Sequence, residues 1–425
     1  MKLAKNKIPF FGKKEIHKFQ FPNGLKLFVV PNPVAPVFSY QTWFNVGSRD
    51  EEEGKSGLAH LFEHMMFKGT KTNPQGVFDR RMESLGARDL NAFTSTDFTA
   101  YVCSLPKSAL PEVAKLESDR MVGLSLTKEQ FESEREVVRN ERKQVMENNP
   151  EGKMYEEIQR LAFERHPYGR PVIGFERDLD AMSVSDCEDF YQKNYAPNNA
   201  AICVAGGVEP LAVAKVIEKF YGKIPAQKIP TRNISLEQKQ TSERISVLQL
   251  SIQVEKIYLG YKIPEATSAK QLALQALSYV LSAGRSSRLY REMVSAGYCI
   301  DQGASVHGMK DPSLFFFSFT CQNGKRAERV IEVFDKTLAE VREKGVREEE
   351  LARVKNKLAT EIHLGLATNS SICRFIGQYE WVMGDVTKAI REIEDIQKVT
   401  TAEIQEVANE FLQRKNRTVV IGKPL

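Results

Sequence analysis

Apolar and polar positions alternate with period two over Leu25–Val30 and again from Val37 to Val46, so both stretches are expected to be strands. SGLAHLFEHMMFKG, residues 56–69, changes to a helical spacing that Gly69 closes. Beyond it the pattern predicts a helix through DRRMESLG, strands over ARDLNAFT and FTAYVCSL, and a helix over LPEVAKLESDRMVG. A long charged helix is expected from about Lys128 to Glu147, stopped by Asn148, Asn149 and Pro150. Helices near 153–163 and 183–194, a strand NAAICVAGG and a helix LAVAKVIEKFYG complete this half, and the first 24 residues read as a polar leader.

The stretch 224–240, IPAQKIPTRNISLEQKQ, is polar, aperiodic and proline-containing, as interdomain linkers are. It divides the chain into an N-terminal domain, 1–223, and a C-terminal domain, 241–425. After it, ISVLQLSIQ, KIYLGYKI and AKQLALQALSYVLSAG repeat the strand, strand, helix order. Displacing the chain on itself by 215 residues sets Gly69 on Gly284 and His60–His64 on Gln275–Tyr279. The expected fold is α+β, in two similar domains of shared architecture.

A chain of 425 residues exceeds one ordinary core, and 42% hydrophobic with 27% charged residues is the composition of a globular protein. No run of 18 uncharged apolar residues occurs, so no spanning helix is expected. The N-terminus has no apolar signal region or cleavage site, so a cytoplasmic protein is expected, an exported mature form being left open. The net charge of +5 is spread along the chain, which gives no basis for nucleic-acid or membrane binding. Six scattered cysteines form no CxxC pair and carry no metal or redox motif.

His60-Leu61-Phe62-Glu63-His64 carries chemistry. On a helix, residues four apart share a face, so the two imidazoles can grip one ion with Glu63 on the edge beside it. Zinc accepts imidazole nitrogen, and a carboxylate beside its open position can act as a hydrolytic base. The competing reading packs two histidines into a core helix. A third ligand is needed, and the charged helix offers Glu132, Glu134, Glu136, Glu141 and Glu147, among which residue type cannot choose.

HxxEH followed by FxxEREVVxxE resembles the inverzincin metallopeptidases: pitrilysin, insulin-degrading enzyme and the mitochondrial processing peptidases. In that family the third ligand stands about 76 to 77 residues past the second histidine. Glu141 stands 77 past His64, so the resemblance implies one zinc per chain on His60, His64 and Glu141, with Glu63 as base. Glu134, seven residues before Glu141, matches the glutamate that steadies a ligand histidine. LNAFTSTDFTAY resembles the edge strand along which the family pairs an extended substrate, placing Asn91, Ala92 and Phe93 beside the scissile bond. SSRLYREMVSAGYCI resembles the segment that supplies an arginine and an oxyanion-donating tyrosine, here Arg291 and Tyr298. HPYGRPVIG and NYAPNNAAICVAGGV also match family landmarks and read as scaffold. Before SRLY the chain has only LSAGRS, not the long glycine-rich loop of the processing peptidase's non-catalytic subunit, which argues against presequence cleavage.

The resemblance implies a half-size, bacterial-type member: two domains, each a mixed sheet with helices mainly on one side, forming one half of a clam-shell. A homodimer that shares its sites between chains and hydrolyses peptides or unfolded segments is then expected. The alternative is a non-catalytic or partner-dependent scaffold subunit, which in this family has generally lost parts of HxxEH.

Overall fold

The computed structural model describes residues 4–34 and 36–425. Seven strands make the first sheet: β1 (Ala4–Phe10), β2 (Lys14–Gln20), β3 (Lys26–Pro31), β4 (Val37–Phe44), β5 (Arg88–Thr94), β6 (Thr99–Pro106) and β7 (Ala200–Gly206). Five make the second: β8 (Arg244–Leu250), β9 (Lys256–Ile263), β10 (Cys299–Val306), β11 (Ser313–Cys321) and β12 (Arg417–Pro424). Their orders are β1-β2-β3-β7-β4-β6-β5 and β10-β11-β9-β12-β8.

The internal repeat is visible in these orders. Reading β3-β7-β4-β6-β5 against β8-β12-β9-β11-β10 matches every neighbour, and β3 with β7 and β8 with β12 are the parallel pairs in otherwise antiparallel ladders. The helix that follows β4, Leu58–Met65, corresponds to Gln271–Ser282 after β9. The fold is therefore α+β with two domains of one architecture.

The expected polar leader is corrected by the structure. Its first three residues lie outside the described ones, but most of the remainder is β1 and β2, paired antiparallel to each other, with β2 running on to β3. Interspersed lysines mask the pattern, because Ile16 and Phe19 are fully buried while Lys18 on the same strand reaches an ion pair with Glu380.

Contacts gather the chain into two units, each discontinuous in sequence. The first is Met1–Arg142, Arg170–Ile234 and His363–Thr387; the second is Lys143–Gly169, Ser235–Ile362 and Lys388–Leu425. Residues 225–240 hold neither helix nor strand, yet a cut there leaves each unit one helix short. Helix Asn369–Val382 packs on β7 and β4 of the first sheet, and helix Pro150–Ala162 packs on β12, β9 and β8 of the second.

The first of these helices fits closely. Phe44 meets Tyr195 on the helix-rich face, and its neighbour Trp43 points to the opposite face, as alternation along a strand requires. There the indole lies so close to Gly377 that a Cβ on that residue would come within 2.3 Å of the ring. Glu380 on the same helix is fully buried and accepts from Lys26 Nζ at 2.8 Å and Lys18 Nζ at 3.3 Å. A buried carboxylate needs such partners.

All six cysteines are free and buried. Among the described residues no helix is long and apolar enough to cross a membrane.

Candidate metal centre and active site

Helix Leu58–Met65 begins after Gly57, whose φ of 91° and close approach to the Ile173 carbonyl exclude a side chain. The Glu51 carboxylate accepts from Gly57 N at 3.0 Å and Ala59 N at 2.8 Å, which satisfies donors that a helix start leaves open. Leu58, Leu61, Phe62 and Met65 are buried, and Phe62 packs on Tyr191 and Tyr195 with ring centroids 5.5 and 4.6 Å away. That apolar face fixes the helix and leaves His60 and His64 together on another, with ring centroids 4.9 Å apart.

The facing helix is Lys128–Arg142, continued by a π-helical segment, Lys143–Glu147. Phe131 and Val138 anchor its buried stripe, on which Glu134 also lies. Glu141 Oε2 stands 3.8 Å from His60 Nε2 and 3.6 Å from His64 Nε2. One donor atom from each of the three residues lies within 4.8 Å of the other two. Ligands of a tetrahedral zinc with bonds of about 2.0–2.1 Å stand about 3.3 Å apart, so two imidazoles and a carboxylate here match the ion in donor type and nearly in spacing.

Electrostatics support the same fit. Burial, helped by the neighbouring His64, pushes His60 down to about 3, so its ring is neutral and ready to ligate. His60 Nδ1 is buried without a hydrogen-bond partner. His64 Nδ1 faces Glu134 Oε2 at 3.4 Å, and the other Glu134 oxygen is 2.6 Å from Lys68 Nζ. A carboxylate behind a ligand imidazole fixes the ring's orientation and tautomer.

Glu63 is buried beside the triad. Burial pushes its carboxyl up to about 7; a hydrogen bond from Thr94 opposes the shift and the Glu141 charge adds to it. Thr94 Oγ1 donates to Glu63 Oε2 at 2.5 Å. Thr94 ends β5, the outermost strand of its sheet, whose far side has no strand partner among the described residues. Asn91 is exposed and its Oδ1 accepts from Ala92 N at 2.8 Å, while Ala92 is half-buried. The Phe93 ring packs instead against Trp43 at 5.4 Å, with the Arg374 guanidinium 4.4 Å above it. Phe93 is half-buried by these contacts.

Arg291 and Tyr298 belong to the second unit. Arg291 is exposed in the π-helical segment Tyr290–Ser295, which Gly297 at φ 75° terminates. Tyr298 is half-buried next to β10, its N–H bonded to Met293 O and its ring near Lys325 Nζ at 5.4 Å. Two residues of the site escaped the sequence reading, Thr94 and Lys68. Thr94 is two positions from Ala92 on a strand and Lys68 four from His64, spacings that hint at a shared face without naming a partner.

Comparison with known proteins gives this site its setting. Residues 28–176 match the family model described as insulinase, peptidase family M16, and residues 181–358 match the one described as peptidase M16 inactive domain. The zinc protease PqqE of Helicobacter pylori is 30% identical over 95% of this chain and 91% of its own length. An uncharacterised zinc protease of Mycobacterium bovis is 27% identical over 94% of this chain and 92% of its own. The crystal structure of a protease from Helicobacter pylori superposes with a TM-score of 0.92 at 29% identity, covering 97% of this chain and all of that one. The protein belongs to peptidase family M16.

Proposed function

We propose that the protein is a zinc-dependent endopeptidase acting on peptides or unfolded segments, with His60, His64 and Glu141 holding one zinc per chain. The observation that carries this reading is the convergence of the three donor atoms beside a buried carboxylate and an open strand edge. The relatives' names as zinc proteases support it. Bound there, zinc supplies Lewis acidity for a peptide carbonyl and for water.

The chain's own residues supply the rest. An extended peptide adds to β5 by backbone hydrogen bonds along Asn91–Phe93, as a further strand of the sheet. With Oε2 of Glu63 engaged by Thr94, Oε1 is the atom that takes a proton from the attacking water and delivers it to the leaving amine. Tyr298 and Arg291 assist the developing oxyanion of a partner chain in a homodimer, which accounts for both constellations in one half-sized chain.

The test is Glu63→Gln. The variant is expected to keep the metal stoichiometry of the wild type while its peptide hydrolysis falls by roughly 100- to 10,000-fold. A zinc-loaded wild type that cleaves no member of a peptide library would refute the reading and favour a scaffold subunit.

A further inference from the structure

The Glu63 carboxylate lies where few groups can hold it. Tyr101 and Tyr195 lie near enough for its charge to disfavour their ionisation, but their hydroxyls are bonded to each other at 3.0 Å. Glu141 repels it. Among the described residues, the donor that reaches it is the Thr94 hydroxyl.

Thr94 is itself held from behind. Its backbone pairs with Thr99 of β6, and the turn that follows is closed by Ser95 N to Phe98 O at 2.8 Å. Ser48 N and Arg49 N clamp the same turn, bonding to Ser95 O at 3.2 Å and Thr96 O at 2.9 Å. Gly47 makes this clamp possible, since a Cβ there would lie 2.4 Å from both the Ser95 and Thr96 carbonyl oxygens. A β-branched side chain on such a fixed backbone has few rotamers to choose from. The start of β5 is less regular: its register against β6 shifts between Arg88 and Asn91, and Asp89 has φ 54°.

We propose that Thr94 is the positioning residue of the general base, an inference that rests on the peptidase reading. Its hydroxyl holds Glu63 Oε2 and presents Oε1 to the reacting water, and it does so from the strand that carries the substrate. Base and scissile bond are therefore indexed to one run of backbone: the residue that sets the carboxylate directly follows Phe93. A hydrogen bond to a charged group in a buried site is strong enough for its loss to slow the chemical step markedly without loosening substrate.

The experiment compares Thr94→Val, which keeps the side chain's shape, with Thr94→Ser, which keeps the hydroxyl. Zinc content, kcat and KM are measured on the full chain with a peptide that the wild type cleaves. Thr94→Val is expected to retain zinc and KM within about twofold and to lose roughly 10- to 100-fold in kcat; Thr94→Ser is expected to restore most of it. A Thr94→Val variant with wild-type kcat overturns the inference while the peptidase reading stands. A loss that serine does not rescue, or one that appears only in KM or zinc content, overturns it too. A zinc-loaded wild type with no activity overturns the peptidase reading, and this inference with it.

Discussion

The Lys68 ammonium lies 2.6 Å from one oxygen of Glu134, whose other oxygen faces the His64 imidazole. Lysine, glutamate and histidine thus form a line, in which the cation holds the carboxylate in the orientation that faces the imidazole. Removing the cation leaves a mostly buried carboxylate with one partner fewer. Lys68→Met is expected to weaken zinc binding by roughly 10- to 100-fold, the usual cost of losing a supporting group behind a ligand. Competition against a chromogenic chelator measures it, and unchanged affinity would show that Glu134 needs no such support.

The carboxylates of the facing helix should separate cleanly. Glu141→Gln is expected to lose zinc or bind it far more weakly, because its oxygen closes the triangle of donors. Glu136 pairs outward with Arg139, and Glu147 lies in the π-helical segment beyond the triad. Glu136→Gln and Glu147→Gln should therefore retain the metal. Equal retention in all three variants, by elemental analysis, would show that Glu141 is not the ligand.

Shared sites predict complementation. Glu63→Gln disables the zinc side of its own chain, whereas Tyr298→Phe weakens what that chain lends to its partner. Each homodimer should be poorly active. In a mixed dimer one site combines the intact zinc side with the intact tyrosine, so random exchange should restore roughly a quarter of wild-type activity under two-fold symmetry. No gain, once native mass spectrometry has shown mixed dimers, would rule the trans arrangement out.

Acid stability should depend on Glu350 in the second unit. Burial pushes its carboxyl up, but the bonds from Arg288, with Nη2 at 2.8 Å and Nε at 3.0 Å, and from Arg347 N outweigh it and leave it at about 2. The folded value lies below the unfolded one of about 4.3, so this stabilisation is complete above that pH and is lost as pH falls from there through about 2. Glu350→Gln is expected to cost roughly 2 kcal/mol near neutral pH, and the difference from wild type should shrink towards pH 2. Urea unfolding across that range checks it; a pH-independent difference would remove the ion pair from the account.

How far the sequence revealed the protein depends on the range of the interaction. His60, Glu63 and His64 are legible because four residues make one helical turn. A third metal-binding residue is not legible from residue type, since Glu132, Glu134, Glu136, Glu141 and Glu147 all suit a solvated helix; the family resemblance implies Glu141, and in the fold Glu132 and Glu136 bond to Arg135 and Arg139 while Glu134 and Glu141 face the histidines. The two-fold repeat is faint as a displacement of letters and plain as a strand order, because topology outlasts side-chain identity. Thr94 and Lys68 stayed hidden, since each matters through one partner that only tertiary structure supplies. Of the two exchanged helices, Pro150–Ala162 is expected from the sequence pattern and Asn369–Val382 is not singled out by it, and an apolar stripe does not say which sheet it will cover.

That exchange governs how the chain can be made. The first sheet needs residues 369–382 to cover Trp43 and to bring Glu380 to Lys18 and Lys26, and the ribosome delivers those residues only after most of the second unit. The half that carries the His60, His64 and Glu141 cluster therefore emerges with its indole uncovered and two lysines unpaired, and waits through much of translation to be finished. A fragment ended at the linker would be halted at that stage permanently, so holdase chaperones should retain the fragment and release the full-length chain.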